Sequence, residues 1–308
     1  MSDLSSITFR DHVISGLPIR AWNYPRPGGT ESKAEVACIF LLHGRLGTSA
    51  HVEPFARRLI EKANDRLTNE SASKHLIIVT FDHRNHGHRL TSLQANHSWT
   101  THPDISATPI ENPTHALDMY AIQTGTAHDV SMLIDFLPAY LYPHEPRAIT
   151  SWGIVGLSLG GHSAWLCATD PRIRFMVPII GSPDYETLMR HRAAQSDPPI
   201  PFGPPHFPYS LIDLIRQKDP CQLDSKIWEG KHLLVLSGAV DRLVNYVDGG
   251  TSAFVDRLKD ENRLASIEVV VEDGAGHQIT EAMVEKTGDW IVERVLNEGR
   301  NVTRMAAL

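Results

Sequence analysis

Cysteine is scarce in this sequence. The three cysteines, Cys38, Cys167 and Cys221, lie far apart along 308 residues. A small, odd and scattered set is unlike the dense cysteine frameworks of secreted mini-domains. We therefore expect free thiols and a cytoplasmic protein, with Cys38 and Cys167 in the core and Cys221 nearer the surface.

Long hydrophobic runs and excess positive charge are missing as well. No apolar run approaches the ~20 residues that cross a bilayer, and residues 1–6 have neither the basic start nor the apolar stretch of a signal peptide. The formal net charge of −7 attracts neither nucleic acid nor an anionic membrane. A small-molecule substrate is the partner we expect. The composition does not indicate whether the chain forms oligomers.

The length and the organisation of the chain predict a single domain over residues 1–308. A chain of this length can bury a large core, and no internal repeat or low-complexity tract divides it. Residues 7–13 and 18–24 predict a β-hairpin around Ser15-Gly16. Apolar periodicity predicts a long helix over residues 115–137, with Pro138 near its end.

One stretch, residues 151–170, organises the rest of the chain. The apolar run at 154–157 predicts a buried strand and residues 159–168 predict a helix, so that Ser158 lies on the turn between them. Gly156 and Gly160 complete a G-x-S-x-G motif, in which glycine allows strand and helix to approach closely. A serine on such a turn is exposed for attack, and the helix N-terminus favours an oxyanion. By itself the motif is short enough to occur by chance.

A carboxylate and a histidine follow in the order that such a serine requires. A strand predicted at 232–237 precedes Asp241, and a strand predicted at 267–271 precedes His277. The carboxyl ends of parallel strands line one edge of a sheet, so Ser158, Asp241 and His277 are expected there together. Asp273 is the nearest alternative acid.

Four motifs together resemble the α/β-hydrolase superfamily. They are His43-Gly44 after a strand at 36–42, the elbow around Ser158, Asp241 in G-x-x-D-x-x-V and His277 in G-x-G-H. The resemblance extends from about Val36 to the C-terminal helix and is nearest to the esterase, dienelactone-hydrolase and prolyl-oligopeptidase-like branches. It implies an α/β fold with a mostly parallel, doubly wound sheet of about eight strands, flanking helices and a small lid insertion.

The resemblance also implies roles for individual residues. Ser158 would be the nucleophile, His277 the general base and acid, and Asp241 the group that orients the imidazole. The backbone N–H groups of Arg45 and Leu159 would form the oxyanion hole.

The activity implied is that of a serine hydrolase acting on a carboxylic ester, lactone or thioester, with neither a cofactor nor a metal. The alternatives are a peptidase or an acyltransferase on the same triad, or a binding protein that keeps the fold without catalysis.

Two polar features near the expected site have alternative interpretations. The Arg45 side chain either points to solvent or binds a substrate carboxylate. The histidine-rich loop at 82–102 either holds a metal ion or is a polar loop at the edge of the site, from which His86 could touch substrate.

Residues 182–230 fall where the superfamily inserts its lid, and their many prolines predict a segment without regular structure. Its aromatic side chains either wall a substrate pocket or pack on the core below. The candidates for substrate contact are Phe202, Phe207 and Tyr209, with Trp228 as a further wall residue.

Overall fold

The structure is a computed structural model that describes residues 7–24, 35–68, 74–99, 111–143 and 149–298. Within them, eight strands form one sheet: β1 Phe9–Ile14, β2 Leu17–Trp22, β3 Glu35–Leu42, β4 Lys74–Phe81, β5 Ile149–Leu157, β6 Ile173–Ile179, β7 His232–Gly238 and β8 Ser266–Glu272. The described α-helices are α1 Glu53–Thr68, α2 His115–Leu141, α3 Leu159–Leu166, α4 Tyr185–Ala194, α5 Tyr209–Lys218, α6 Thr251–Glu261 and α7 Glu281–Trp290, the last continued by a π-helical stretch, Ile291–Leu296.

The strand order is β1-β2-β4-β3-β5-β6-β7-β8. β2 pairs antiparallel with both β1 and β4, and every other neighbouring pair is parallel. Ser15 and Gly16 join β1 to β2 with φ of 51° and 77°, the positive angles that a two-residue hairpin turn requires. The predicted hairpin is confirmed, and so is the mostly parallel sheet.

Both faces of the sheet are buried. Along β3, Val36, Cys38 and Phe40 face a core with α2, α3 and α6, whereas Ala37 and Ile39 face a second core with α1 and α7. This burial explains why the parallel strands read as continuous apolar runs in the sequence. The doubly wound α/β class is confirmed.

The segment 182–230 differs from its prediction. It was expected to lack regular structure because of its prolines, but it contains α4 and α5. These helices avoid proline in their interiors, and their apolar residues pack with the start of α2 and with Leu159 in a third cluster. Whether this segment acts as a lid, and whether residues 1–308 are a single domain, stay predictions.

Two local predictions were wrong. Helix α2 does not stop at Pro138 but continues to Leu141, because Leu137 and Leu141 are fully buried in the core and their packing outweighs the hydrogen bond that proline removes. Cys221 is buried, with 7% of its surface exposed.

None of the described helices is long and apolar enough to cross a membrane.

Candidate active site

Ser158 occupies a strained turn between β5 and α3. Its backbone has φ 52° and ψ −108°, a conformation that costs a non-glycine residue about 1–3 kcal/mol. Two hydrogen bonds hold the turn: the Ser158 N–H donates to the Ile179 carbonyl at 2.9 Å, and the His162 N–H donates to the Ser158 carbonyl at 2.9 Å. The hydroxyl therefore stands at the carboxyl edge of the sheet rather than along β5.

The two glycines of the motif allow the helix to lie directly on the strand. A Cβ atom on Gly156 would lie 2.0 Å from the Gly160 carbonyl oxygen, and one on Gly160 would lie 2.6 Å from the Leu42 carbonyl oxygen. These clashes are with backbone, which has no freedom to move aside. The tight elbow is thus possible only with glycine at both positions.

Hydrogen bonds link Ser158, His277 and Asp241 in a chain. The Ser158 hydroxyl donates to His277 Nε2 at 2.8 Å, and His277 Nδ1–H donates to Asp241 Oδ2 at 2.8 Å. The second oxygen of Asp241 accepts the N–H groups of Leu243 and Val244 at 2.8 and 2.9 Å. This pattern assigns the proton of neutral His277 to Nδ1, which leaves Nε2 free to accept the serine proton.

Asp241 is held in its charged form. Burial by itself would raise the pKa of Asp241, but hydrogen bonds and charge interaction with His277 and the two backbone N–H groups outweigh it, so that the pKa lies below its ordinary value. The alternative acid, Asp273, is exposed and His277 bonds to Asp241 instead. The fully buried carboxylate can therefore stabilise an imidazolium at neutral pH.

The two residues predicted to supply the oxyanion donors belong to backbone segments near Ser158. Leu159 is the first residue of α3, and the N–H of a first helical residue has no preceding turn to bond to. A Cβ atom on Gly44 would lie 3.7 Å from Ser158 Cβ, so the loop that carries Arg45 passes directly beside the serine. Leu46 turns this loop with φ 62°. Oxyanion binding by Arg45 and Leu159 stays a prediction.

A pair of buried histidines fixes the loop that carries Arg45. The His83 N–H donates to His43 Nε2 at 3.0 Å, His83 Nε2–H donates to the His43 carbonyl at 2.9 Å, and His43 Nδ1–H donates to the Gly44 carbonyl at 2.8 Å. Burial lowers the pKa of His43 to about 4, so the ring is neutral, as these bonds require. Sequence reasoning missed the role of His83: the crowding of histidines after a strand signalled a polar site, but not which rings would meet.

Two further histidines of the 82–102 loop, His86 and His88, also bond to the protein, whereas residues 100–102 lie outside the described residues. His86 lies beside His43, with ring centroids 5.5 Å apart, and its Nδ1–H donates to the Arg84 carbonyl at 3.0 Å. Its Nε2 is buried without a partner in the described part of the chain. Among the described residues, the one group spaced to hold a metal ion lies outside this loop and consists of Asp184, Asp219 and Cys221. Substrate contact by His86 stays a prediction.

No family model and no curated protein sequence matches the chain. Solved structures do match over almost its whole length. TT1662 from Thermus thermophilus is 20% identical with a TM-score of 0.60, over 93% of this chain and 97% of that chain. The S-formylglutathione hydrolase from Agrobacterium tumefaciens is 16% identical with a TM-score of 0.54, over 94% and 95%. The Pyrococcus furiosus esterase Pf2001 is 16% identical with a TM-score of 0.51, over 94% of both.

The chain has the α/β-hydrolase fold. Ser158 directly follows β5. Asp241 follows β7 and His277 follows β8. The geometry therefore agrees with the order Ser, Asp, His in which the α/β-hydrolase triad occurs along the chain.

Aromatic side chains anchor the segment 182–230, for which a lid was predicted. Phe207 is fully buried in the cluster that contains Leu159, and its ring centroid lies 4.4 Å from that of Phe202. Arg190 covers the Phe202 ring at 3.5 Å. The Tyr209 side chain is 73% exposed. Substrate contact by Phe202, Phe207 and Tyr209 stays a prediction, and the exposure of Tyr209 gives its contact no support.

Trp228 packs elsewhere. Its ring centroid lies 5.8 Å from that of Trp165 and 5.4 Å from that of Phe254. All three belong to the core between the sheet and helices α2, α3 and α6. Of the two interpretations of the aromatic residues in this segment, packing on the core describes Trp228.

Proposed function

We propose that the protein is a serine hydrolase that cleaves a carboxylic ester, lactone or thioester through an acyl-enzyme on Ser158. The observation that carries the proposal is the hydrogen-bonded chain from Ser158 through His277 to the buried Asp241. The names of two structural neighbours, an esterase and an S-formylglutathione hydrolase, fit hydrolysis in general.

The geometry accounts for each proton in this reaction. Ser158 Oγ attacks the acyl carbonyl carbon while its proton moves to His277 Nε2, and Asp241 stabilises the imidazolium that forms. The N–H groups of Arg45 and Leu159 would stabilise the negative oxygen of the tetrahedral intermediate. When the bond to the leaving group breaks, His277 returns the proton to it. Water then repeats these steps and releases the acid.

The strained backbone of Ser158 supports the same conclusion. Strain persists where the surrounding structure holds it in place, and such positions cluster at functional sites. Here the strain lifts the hydroxyl to within hydrogen-bonding distance of a histidine that comes from a distant strand.

A fluorophosphonate probe tests the proposal directly. The wild-type protein should be labelled on Ser158, as located by mass spectrometry, because a serine that a base activates displaces fluoride from the probe and forms a phosphonate ester. Ser158→Ala should take up no label while keeping its folded circular dichroism spectrum. An unlabelled wild-type protein, or a Ser158→Ala variant that still turns over esters, would contradict the proposal.

A further inference from the structure

Arg45 brings a second functional group to the site besides its backbone N–H. Its side chain is half-buried, and its Nη1 donates to the Asn96 carbonyl at 3.0 Å. This carbonyl is neutral, and no carboxylate in the described residues forms an ion pair with Arg45. A guanidinium has five N–H donors, so most of its capacity to bind an anion is unused.

The guanidinium group of Arg192, like that of Arg45, forms no ion pair with a described carboxylate. Arg192 lies in the last turn of α4 and is flanked by Met189 and Ala193, which pack in the cluster that contains Leu159. Its Nη2 contacts His115 Nε2 at 3.3 Å and its Nη1 contacts the Met189 sulfur at 3.7 Å. Within the described chain, Arg192 also has no ion-pair partner.

The two positive charges are close enough to repel each other. Burial is the main cause, and the charge of Arg192 the second, of the fall in the pKa of Arg45 to about 10. Burial is the main cause of the lowered pKa of His115, and the charges of Arg192 and Arg45 lower it further. The carboxylate of Asp241 acts on the charge of Arg192, but its oxygens already bind His277 and two backbone N–H groups.

A buried donor, the indole N–H of Trp99, lies close to Arg192. The indole N–H of Trp99 is buried and has no hydrogen-bond partner in the described part of the chain, and only 5% of the residue is exposed. Its ring contacts His115 with centroids 5.0 Å apart. Buried donors without acceptors are costly and rare in folded proteins. Arg45 follows Gly44, which lies beside Ser158, and Trp99 packs with the neighbours of Arg192 in the cluster that contains Leu159. This grouping of donors near the serine indicates that a ligand supplies the acceptors.

We propose that the substrate carries a free carboxylate, which the guanidinium groups of Arg45 and Arg192 bind beside the Ser158 hydroxyl. This inference rests on the proposed hydrolase function and names its substrate class. A carboxylate offers two oxygens to two forks of N–H donors, relieves the repulsion between the cations and gains from the partly desolvated setting. Arg45 would then orient the substrate with its side chain and bind the oxyanion with its backbone.

Two matched pairs of esters test the proposal. One pair carries or lacks the charge on the acyl side: mono-para-nitrophenyl adipate and para-nitrophenyl methyl adipate. The other carries or lacks it on the leaving group: para-acetoxybenzoate and its methyl ester. We expect kcat/KM for the charged member of one pair to exceed that of its neutral twin by about 10- to 100-fold, the range for a hydrogen bond to a charged group. The preferred pair shows which side of the ester bears the carboxylate.

Arginine variants assign the preference to the site. Arg192→Met keeps an apolar stem next to Met189 but removes the charge, and the ratio of charged to neutral kcat/KM should fall most of the way to one, since only Arg45 remains. Arg192→Lys should restore part of the ratio. The matched control is Arg216→Met, on the exposed side of α5 where the guanidinium pairs with Glu186, and it should keep the wild-type ratio.

The outcomes separate this proposal from the proposed hydrolase function. A protein that labels with fluorophosphonate and hydrolyses both members of each pair equally would overturn the carboxylate site alone. A charge preference that survives undiminished in Arg192→Met would also overturn it. A protein that takes up no label and cleaves none of the four esters would overturn the hydrolase function, and the substrate class would fall with it.

Discussion

His277 has two nitrogen atoms with different tasks, and Asp241 decides which one carries the proton. Because Nδ1–H is committed to the carboxylate at 2.8 Å, Nε2 is left as the base toward Ser158. An amide at position 241 could instead donate to Nδ1 and leave the proton on Nε2. The resulting tautomer has no lone pair to accept the serine proton.

We therefore predict that Asp241→Asn lowers kcat for ester hydrolysis by about 10⁴-fold, with little change in folding. Steady-state kinetics on a para-nitrophenyl ester measure this loss. Asp273→Asn is the control, because Asp273 is exposed and His277 bonds to Asp241. A large loss in Asp273→Asn with an active Asp241→Asn would reverse the assignment.

At the scale of elements, the position of Ser158 depends on how closely α3 lies on β5. The distance is set by backbone atoms on both sides, since the space for a Cβ on Gly156 is already occupied by the Gly160 carbonyl. The same contact brings the Gly160 N–H to the His43 carbonyl at 3.1 Å, which ties α3 to the loop of Arg45. Strand β5, helix α3 and the loop of Arg45 are thus one rigid unit.

Gly156→Ala should separate these elements. We expect the free energy of unfolding to fall by about 3 kcal/mol, since a methyl group is forced against backbone in a packed core. Urea denaturation measures the change, and labelling of Ser158 should slow in parallel. Gly203→Ala serves as the control, because a Cβ there would meet nothing within 4 Å. Equal stability of the two variants would show that the elbow tolerates a side chain.

Across the whole molecule, several histidines are buried in the neutral form. Burial lowers the pKa of His162 and His43 to about 4 and lowers the pKa of His83 and His115 well below the ordinary value. The unfolded chain binds protons at these positions near pH 6.5, whereas the folded chain does not. Stability contributed in this way is present above about pH 6.5 and is lost as the pH falls toward 4.

His162→Gln tests this linkage. His162 packs in the core and its Nδ1 accepts the Ser182 N–H at 2.9 Å, a bond that the glutamine oxygen can replace. The variant should lose less stability than the wild type between pH 7 and pH 4, by about 3 kcal/mol. Urea unfolding at several pH values provides the measurement. His128→Gln, at an exposed position of α2, should follow the wild-type curve, and a His162→Gln curve parallel to it would contradict the prediction.

Much of the fold and of the triad follows from local patterns. Apolar runs bounded by glycine mark the parallel strands, because a strand buried on both faces needs no polar residue. Side chains that directly follow parallel strands then lie together at the carboxyl edge of the sheet. Ser158, Asp241 and His277 could be selected in this way although they are far apart in sequence.

Other features depended on contacts that no local pattern encodes. The extension of α2 past Pro138, the burial of Cys221 and the two helices between β6 and β7 all follow from apolar surface that becomes available only when the core assembles.

The sequence by itself determined the order of the elements and the chemistry that each strand end carries, since these depend on neighbouring residues. The tertiary structure alone decided which side chains share a site. Arg45 lies after β3 and Arg192 on α4, and nothing near either residue in the chain shows that it lacks a counter-ion. Charge pairing is a property of distance in space, so the lack of an ion-pair partner for both arginines among the described residues becomes visible only once the chain is folded.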